Sequence, residues 1–187
     1  VFAGRYKRVP PDQAMVVYGQ KRGDRGFTVI SPGGGKFILP IKESYKFLSL
    51  APRPLSFKVL KVADASKALS DVHLRVEYKV SAERTKLDLA AQHLLSRSTE
   101  DTDRMVKETV AARLRGICSA PGGNVVAADR EGLAQKIRDA SDADLGMFGL
   151  EIMHLLVVDI LDSASLPNLG DRASGPGNRG AGERLVE

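Results

Sequence analysis

The chain has 187 residues, of which 43% are hydrophobic and 27% charged, proportions that suit one large or two small globular domains and exclude wholesale disorder. Its single cysteine, Cys118, excludes an internal disulfide framework, and no apolar run approaches the roughly 18 residues needed to cross a bilayer. The net charge of +5 is unevenly spread: residues 1–61 hold 12 Lys/Arg against 3 Asp/Glu, and residues 62–187 hold 16 against 20. A basic end of this kind can meet lipid headgroups or nucleic acid by the same attraction, and it can also be a solvated face.

The chain opens on the small apolar Val1-Phe2-Ala3-Gly4 and runs into Arg5-Tyr6-Lys7-Arg8. An apolar stretch followed by an aromatic and cations resembles the exit of a membrane segment on its positive side. A fragment cut just after an anchor would look like this, and so would a native start with its Met removed. Strand-like runs follow: Gln13–Tyr18 stopped by Gly19, then Phe27–Ile30 and Phe37–Leu39 on either side of Gly33-Gly34-Gly35-Lys36. A phosphate loop would need a glycine where Ile30 stands and a hydroxyl where Phe37 stands. The glycines are therefore predicted to turn the chain. Ser44–Leu50 alternates loosely, Pro52 and Pro54 interrupt, and Leu55–Val62 resumes an extended pattern. Val72–Val80 is the clearest strand, with apolar even positions and His73, Arg75, Glu77 and Lys79 between them.

After Ser81 the period changes to that of helices. Ala82–Leu95 is predicted helical; a second helix from Thr102 places Val106, Val110, Leu114 and Ile117 on one stripe, with Ser98-Thr99-Glu100-Asp101 offering caps. Cys118 ends that stripe and is expected to be a buried core thiol. A third helix from about Ala128 carries Leu133, Ile137 and Ala140, and Phe148–Ile160, rich in β-branched residues, reads as a closing strand with His154 packed in its more apolar row. From Leu166 onward glycine and charge dominate, which predicts a flexible tail.

Local catalytic motifs do not occur. There is no Gly-x-Ser-x-Gly elbow, no His-Glu-x-x-His pair, and the three histidines and one cysteine are scattered over different elements. Asp139, Asp142 and Asp144 lack the alternating oxygen ligands of a calcium loop and read as a helix end. No catalytic, cofactor or metal residue is singled out, and an enzyme is not expected.

In combination these segments resemble the band-7 or SPFH family (stomatin, prohibitin, flotillin and the HflK/HflC proteins), nearest to flotillins and their bacterial relatives. The similar stretches are Tyr6–Gly19, Gly33–Ile41 ending in Phe47-Leu48-Ser49-Leu50, Leu89–Leu95, Lys107–Ile117 and Gly149–Ile160, in the family's order. The resemblance implies an α+β fold, with a curved, mostly antiparallel sheet and helices packed on one side. It divides the chain into a membrane-proximal segment at 1–8, the SPFH domain at 9–162 and a disordered Gly-rich tail or linker at 163–187. The Asp-Gly turn expected between Val62 and Asp71 is absent, Pro121-Gly122-Gly123 replaces a short acidic helix start, and a glycine-rich stretch stands where the family continues into a coiled coil.

The function implied is that of a non-enzymatic, membrane-associated scaffold on the cytoplasmic face, anchored by a segment upstream of Val1. Its partners would be anionic membrane lipids, further copies or related band-7 subunits, and membrane proteins as cargo. Phe2, Arg5, Lys7 and Arg8 are the expected membrane-contact residues, each well-placed cation contributing about 1 kcal/mol at an anionic leaflet. The alternative is a soluble shell-forming or protein-interaction module, since the shoulder domain of the vault particle's major protein is similar in fold. Nucleic acid is not expected as a partner, because the basic end lacks an aromatic stacking platform or a basic recognition helix.

Overall fold

The computed structural model describes residues 5–19, 26–39, 41–121 and 129–162. In chain order the elements are β1 (Tyr6–Arg8), β2 (Gln13–Tyr18), β3 (Phe27–Ile30), β4 (Gly35–Phe37), β5 (Ser44–Ser49), β6 (Arg53–Ala63), β7 (Leu69–Val80), α1 (Arg84–Leu94), α2 (Thr99–Ser119), α3 (Arg130–Gly146) and β8 (Leu150–Asp162). The strands are antiparallel throughout, as expected, but they divide into three sheets: a β1–β4 ribbon, a β3-β2-β5 sheet and a β6-β7-β8 sheet.

Alternation in β7 decides the main packing. Val72, Leu74, Val76, Tyr78 and Val80 are buried, while Arg75 on the opposite face is exposed. The buried row meets one stripe of α2 (Val106, Val110, Leu114, Cys118) and the inner face of α3 (Leu133, Ile137, Leu145), so both helices lie on one side of this sheet. Fully buried Val110 and Leu114 each stabilise the fold by about 1.5–3 kcal/mol relative to exposure. Ile117, expected on the α2 stripe, is only half-buried, and Cys118 takes its place. The helix starts at Thr99 because the Ser98 hydroxyl accepts the Asp101 N–H at 3.1 Å. Asp129 caps α3 in the same manner, accepting from the N–H groups of Glu131 and Gly132.

The central strand of the middle sheet, β2, is buried on both faces. Ala14, Val29, Leu48 and Leu50 join the large core beside Leu87, Ala90 and Leu94 of α1. Met15 and Val17 point the other way, into a second core with Val9, Ile38, Ile30 and Tyr45, under the β1–β4 ribbon. Burial on both faces explains why the sequence of β2 does not alternate, and β5, though largely exposed, sends Tyr45 to one core and Leu48 to the other.

Two irregularities correct the sequence reading. The β7–β8 register shifts between His73 and Leu74 and between Glu77 and Tyr78, leaving Met153 and Val158 without register partners. The shift at Met153 inverts the phase of β8, so His154, expected to be packed in the same row as Leu150 and Ile152, is exposed opposite Glu77. In the β6–β7 hairpin, Asp64 Oδ1 accepts from Ser66 N, Ser66 Oγ and Ala68 N at 2.7–2.9 Å, and Lys67 takes a positive φ of 66°. A side-chain turn thus does the work of the missing Asp-Gly pair. The stretches expected as a Gly-rich tail (163–187) and as the replaced helix start (122–128) lie outside the described residues.

Candidate functional site

The triple glycine does not close a hairpin: β3 pairs with β2 and β4 with β1, so residues 31–34 carry the chain from the middle sheet to the ribbon. Gly33 has a φ of 76°, and a Cβ on Gly35 would collide with the Tyr6 ring and hydroxyl. Tyr6 lies across that glycine with Phe37 beside it, ring centroids 5.9 Å apart. Backbone bonds Val9 N to Gly34 O (2.9 Å) and Ile38 N to Arg5 O (2.9 Å) extend the ribbon at both ends.

The ribbon's two faces differ. Tyr6, Arg8 and Phe37 share the outer one and are exposed, while Lys7 and Lys36 point inward and are half-buried. The Lys7 ammonium stands 5.8 Å from the centre of the Tyr45 ring. Lys36 is paired at 2.9 Å with Glu43, whose side chain is almost wholly buried. The second oxygen of Glu43 accepts the Leu39 N–H at 3.1 Å, and Leu39 O accepts from Lys42 N and Glu43 N at 2.9 and 2.7 Å. A buried carboxylate without partners would be costly, so this one fixes the turn between β4 and β5. Gly19, with a φ of 110°, lets the turn pack closely: a Cβ there would stand 2.9 Å from Lys42 O.

The fixed turn displays apolar groups to water. Ile41 is 95% exposed, Phe37 52%, Tyr6 49% and Leu39 47%. Single exposed apolar residues are ordinary, but here an aromatic pair is followed at alternate positions in the sequence by two exposed aliphatics at a braced turn. Exposed Arg5, Arg8 and Lys42 are their neighbours in sequence, and Arg8 shares the ribbon face of Tyr6 and Phe37. Aromatics with a polar end, aliphatics and flanking cations suit the boundary between headgroups and acyl chains.

Of the membrane-contact residues expected from sequence, Arg8 comes to the face of Tyr6 and Phe37, Arg5 is exposed beside them, and Lys7 turns to the opposite face. Phe2 lies outside the described residues. The sequence places Phe37 and Leu39 in a strand and Ile41 in a stretch similar to the family, and it singles out none of the three as a surface group. The available signal was Leu39-Pro40-Ile41 between Lys36 and Lys42, an apolar stretch broken by a proline and flanked by cations.

Other chemically active groups are committed elsewhere. Ser56 Oγ and His73 Nε2 are 2.8 Å apart on the open face of the third sheet. Asp159 is opposite His73 in register, but its Oδ1 accepts from Ile160 N and faces Arg130 at 3.5 Å, so no triad forms. Burial pushes the Cys118 thiol up to about 11, with the charge of Asp64 adding to the effect, which leaves it protonated and inert at neutral pH. A cavity of about 250 Å3 between β5, Tyr78 and the start of α2 contains Arg53 and Tyr78, and both bond Asp103, at 3.2 and 2.5 Å. Among the described residues no group of three or more His, Cys, Asp or Glu side chains is placed to hold a metal ion, and no helix is long and apolar enough to cross a membrane.

An antiparallel α+β body with its helices on one side of a sheet, preceded by a small sheet and a ribbon, is the architecture expected of the band-7 class, and residues 7–172 match the SPFH domain / Band 7 family. The chain belongs to that family. It is 25% identical over 179 residues to the flotillin-like protein FloT of Bacillus subtilis (strain 168), a match that covers 91% of this chain and 35% of that protein. Flotillin-2 of Bos taurus is 25% identical over 168 residues, and flotillin-2 of Homo sapiens 24% over 168, each match covering 89% of this chain and 39% of the relative. The chain therefore spans between a third and two fifths of the length of these relatives.

Proposed function

We propose that this chain is the lipid-facing domain of a non-enzymatic, membrane-associated scaffold that self-assembles on the cytoplasmic leaflet and confines lipids and membrane proteins. In this reading residues 9–162 form the body and residues 163–187 a linker or tail. The observation that carries it is the braced turn with Ile41 in water, following exposed Leu39 and the pair of Phe37 and Tyr6, with Arg5, Arg8 and Lys42 as their neighbours in sequence. Phe2 adds an apolar group at the same end of the chain. The excess of cations over residues 1–61 supplies long-range attraction to an anionic leaflet, and the apolar groups supply depth. Membership of a family that includes flotillin-like relatives supports the scaffold part of the reading.

Flotation with vesicles tests it. Binding to phosphatidylserine-containing vesicles should exceed binding to phosphatidylcholine alone. It should weaken as salt rises from about 0.1 to about 1 M, which shortens the screening length from about 10 to about 3 Å. Changing Arg5, Lys7 and Arg8 to Ala should weaken it further. Equal binding to neutral and anionic vesicles would overturn the electrostatic part. Large closed particles in light scattering without lipid would favour the soluble, shell-forming alternative.

A further inference from the structure

The sheet formed by β6, β7 and β8 has two unlike borders. Along β8, α3 covers outward backbone groups with side chains: Asp142 Oδ1 accepts the Ile152 N–H at 2.9 Å, and Arg130 Nη1 donates to Val158 O at 3.2 Å. This closes β8 to another strand. Along β6 no described side chain from another layer takes up outward backbone groups in the same way. A groove of about 520 Å3 lies there instead, between residues 57–60 of β6 and the stripe of α2 that holds Lys107, Glu108, Ala111 and Arg115.

The groove has an apolar floor and a basic rim. Phe57 and Ala111 are half-buried in it and Leu60 is 57% exposed, without the apolar cover that its size would favour. Lys58, Lys107 and Arg115 stand around this floor against the single acid Glu108. From Lys107 to Arg115 the helix rises roughly 12 Å, the length of about four residues of extended chain.

The same features define what is kept out. β6 carries three cations, Arg53, Lys58 and Lys61, and no acid, so two copies of it laid side by side would repel. Its register with β7 shifts between Val59 and Val62, and Lys61 has a positive φ of 52°, which twists the border away from a flat neutral strand. Lysines and a bulge at an open border disfavour indiscriminate pairing, and carboxylates are the groups that reverse the penalty.

We infer that the groove between β6 and α2 binds an extended, acidic segment of a partner protein, which adds to the sheet as a fourth strand. Its carboxylates meet Lys58 on the open face of the sheet, and its alternate apolar side chains, on the other face, cover Phe57 and Ala111 beside Lys107 and Arg115. Main-chain bonds to β6 supply affinity and the cations supply selectivity. The surface is separate from the ribbon and its turn, so the inference stands or falls independently of the lipid contact.

A fluorescein-labelled peptide of alternating Glu and Val, titrated into the full 187-residue chain and followed by anisotropy, tests the inference, with a Lys-Val peptide as the control. The Glu-Val peptide should bind, lose affinity with salt, and slow amide exchange over residues 57–61, and the Lys-Val peptide should not bind. The double variant Lys58→Glu, Lys107→Glu should weaken binding about tenfold. Equal binding of both peptides, no binding of either, or unchanged affinity in the double variant overturns it. So does protection of residues 57–61 before peptide is added, whether independent of protein concentration (the chain covering itself) or rising with it (a second copy).

Discussion

Replacing Ile41 by Ser separates lipid contact from folding. Ile41 is 95% exposed in the folded chain, so its side chain has almost nothing to lose from the core. The unfolding free energy should stay within about 0.5 kcal/mol of the wild type. If this turn enters the acyl boundary, the isoleucine exchanges water for hydrocarbon. Full burial of such a side chain is worth about 1.5–3 kcal/mol, and serine recovers little of it. Membrane partition should therefore fall by about 2 kcal/mol, or roughly thirtyfold. Sedimentation over a lipid titration gives the partition coefficient, with a urea transition in parallel. Salt adds a second discrimination: the loss from Ile41→Ser should persist at about 1 M, where the contribution of Arg8 is screened away. Unchanged partition in a normally folded variant would refute lipid contact through this turn. A lowered urea midpoint would refute the premise that Ile41 has no part in the fold.

Three further outcomes follow from the interior. Gly149→Ala should cost about 3 kcal/mol in urea unfolding, because its φ is 77° and a Cβ would collide with Lys86 O and stand 2.6 Å from Ala90 N. Ser141→Ala should stabilise by about 1 kcal/mol and raise the melting midpoint by about 3 °C, since the wholly buried Ser141 hydroxyl has no partner among the described residues. Stability should fall from about pH 9 to about pH 11, because burial holds the folded Cys118 thiol at about 11 while the unfolded chain releases that proton earlier. Cys118→Ala should flatten this decline in pH-dependent urea melts. Tyr78, raised by burial and then by its bond to Asp103, continues the decline in both proteins above about pH 10.

The sequence was most readable where one face of an element is dry and the other wet. β7 obeys that condition, and its even positions were assigned to the core as observed. α2 obeys it as far as Leu114, beyond which the buried position passes to Cys118 rather than Ile117. The rule failed where its premise failed. β2 and β5 separate two cores, so their apolar residues follow both rows, and the register shift at Met153 of β8 inverts the pattern that had assigned His154 to the interior. The cationic part of the candidate surface was legible from Arg5 to Arg8, although backbone pairing then turned Lys7 inward. The apolar part was not. Leu39 and Ile41 are composed like core residues, and the bonds that hold their turn, made by Glu43 and by Leu39 O, depend on contacts that no local pattern displays.

The strands β2, β3 and β5 form a partition with a packed chamber on each side, the larger against α1 and β7 and the smaller against the ribbon. The ribbon rests on the smaller chamber through Val9 and Ile38, at either side of the strands that carry Tyr6 and Phe37. The tilt at which this end would rest on a flat sheet of lipid is consequently set by the same interdigitated side chains that keep the protein folded. Neighbouring copies resting on one surface would inherit a common orientation, without any contact between them to impose it.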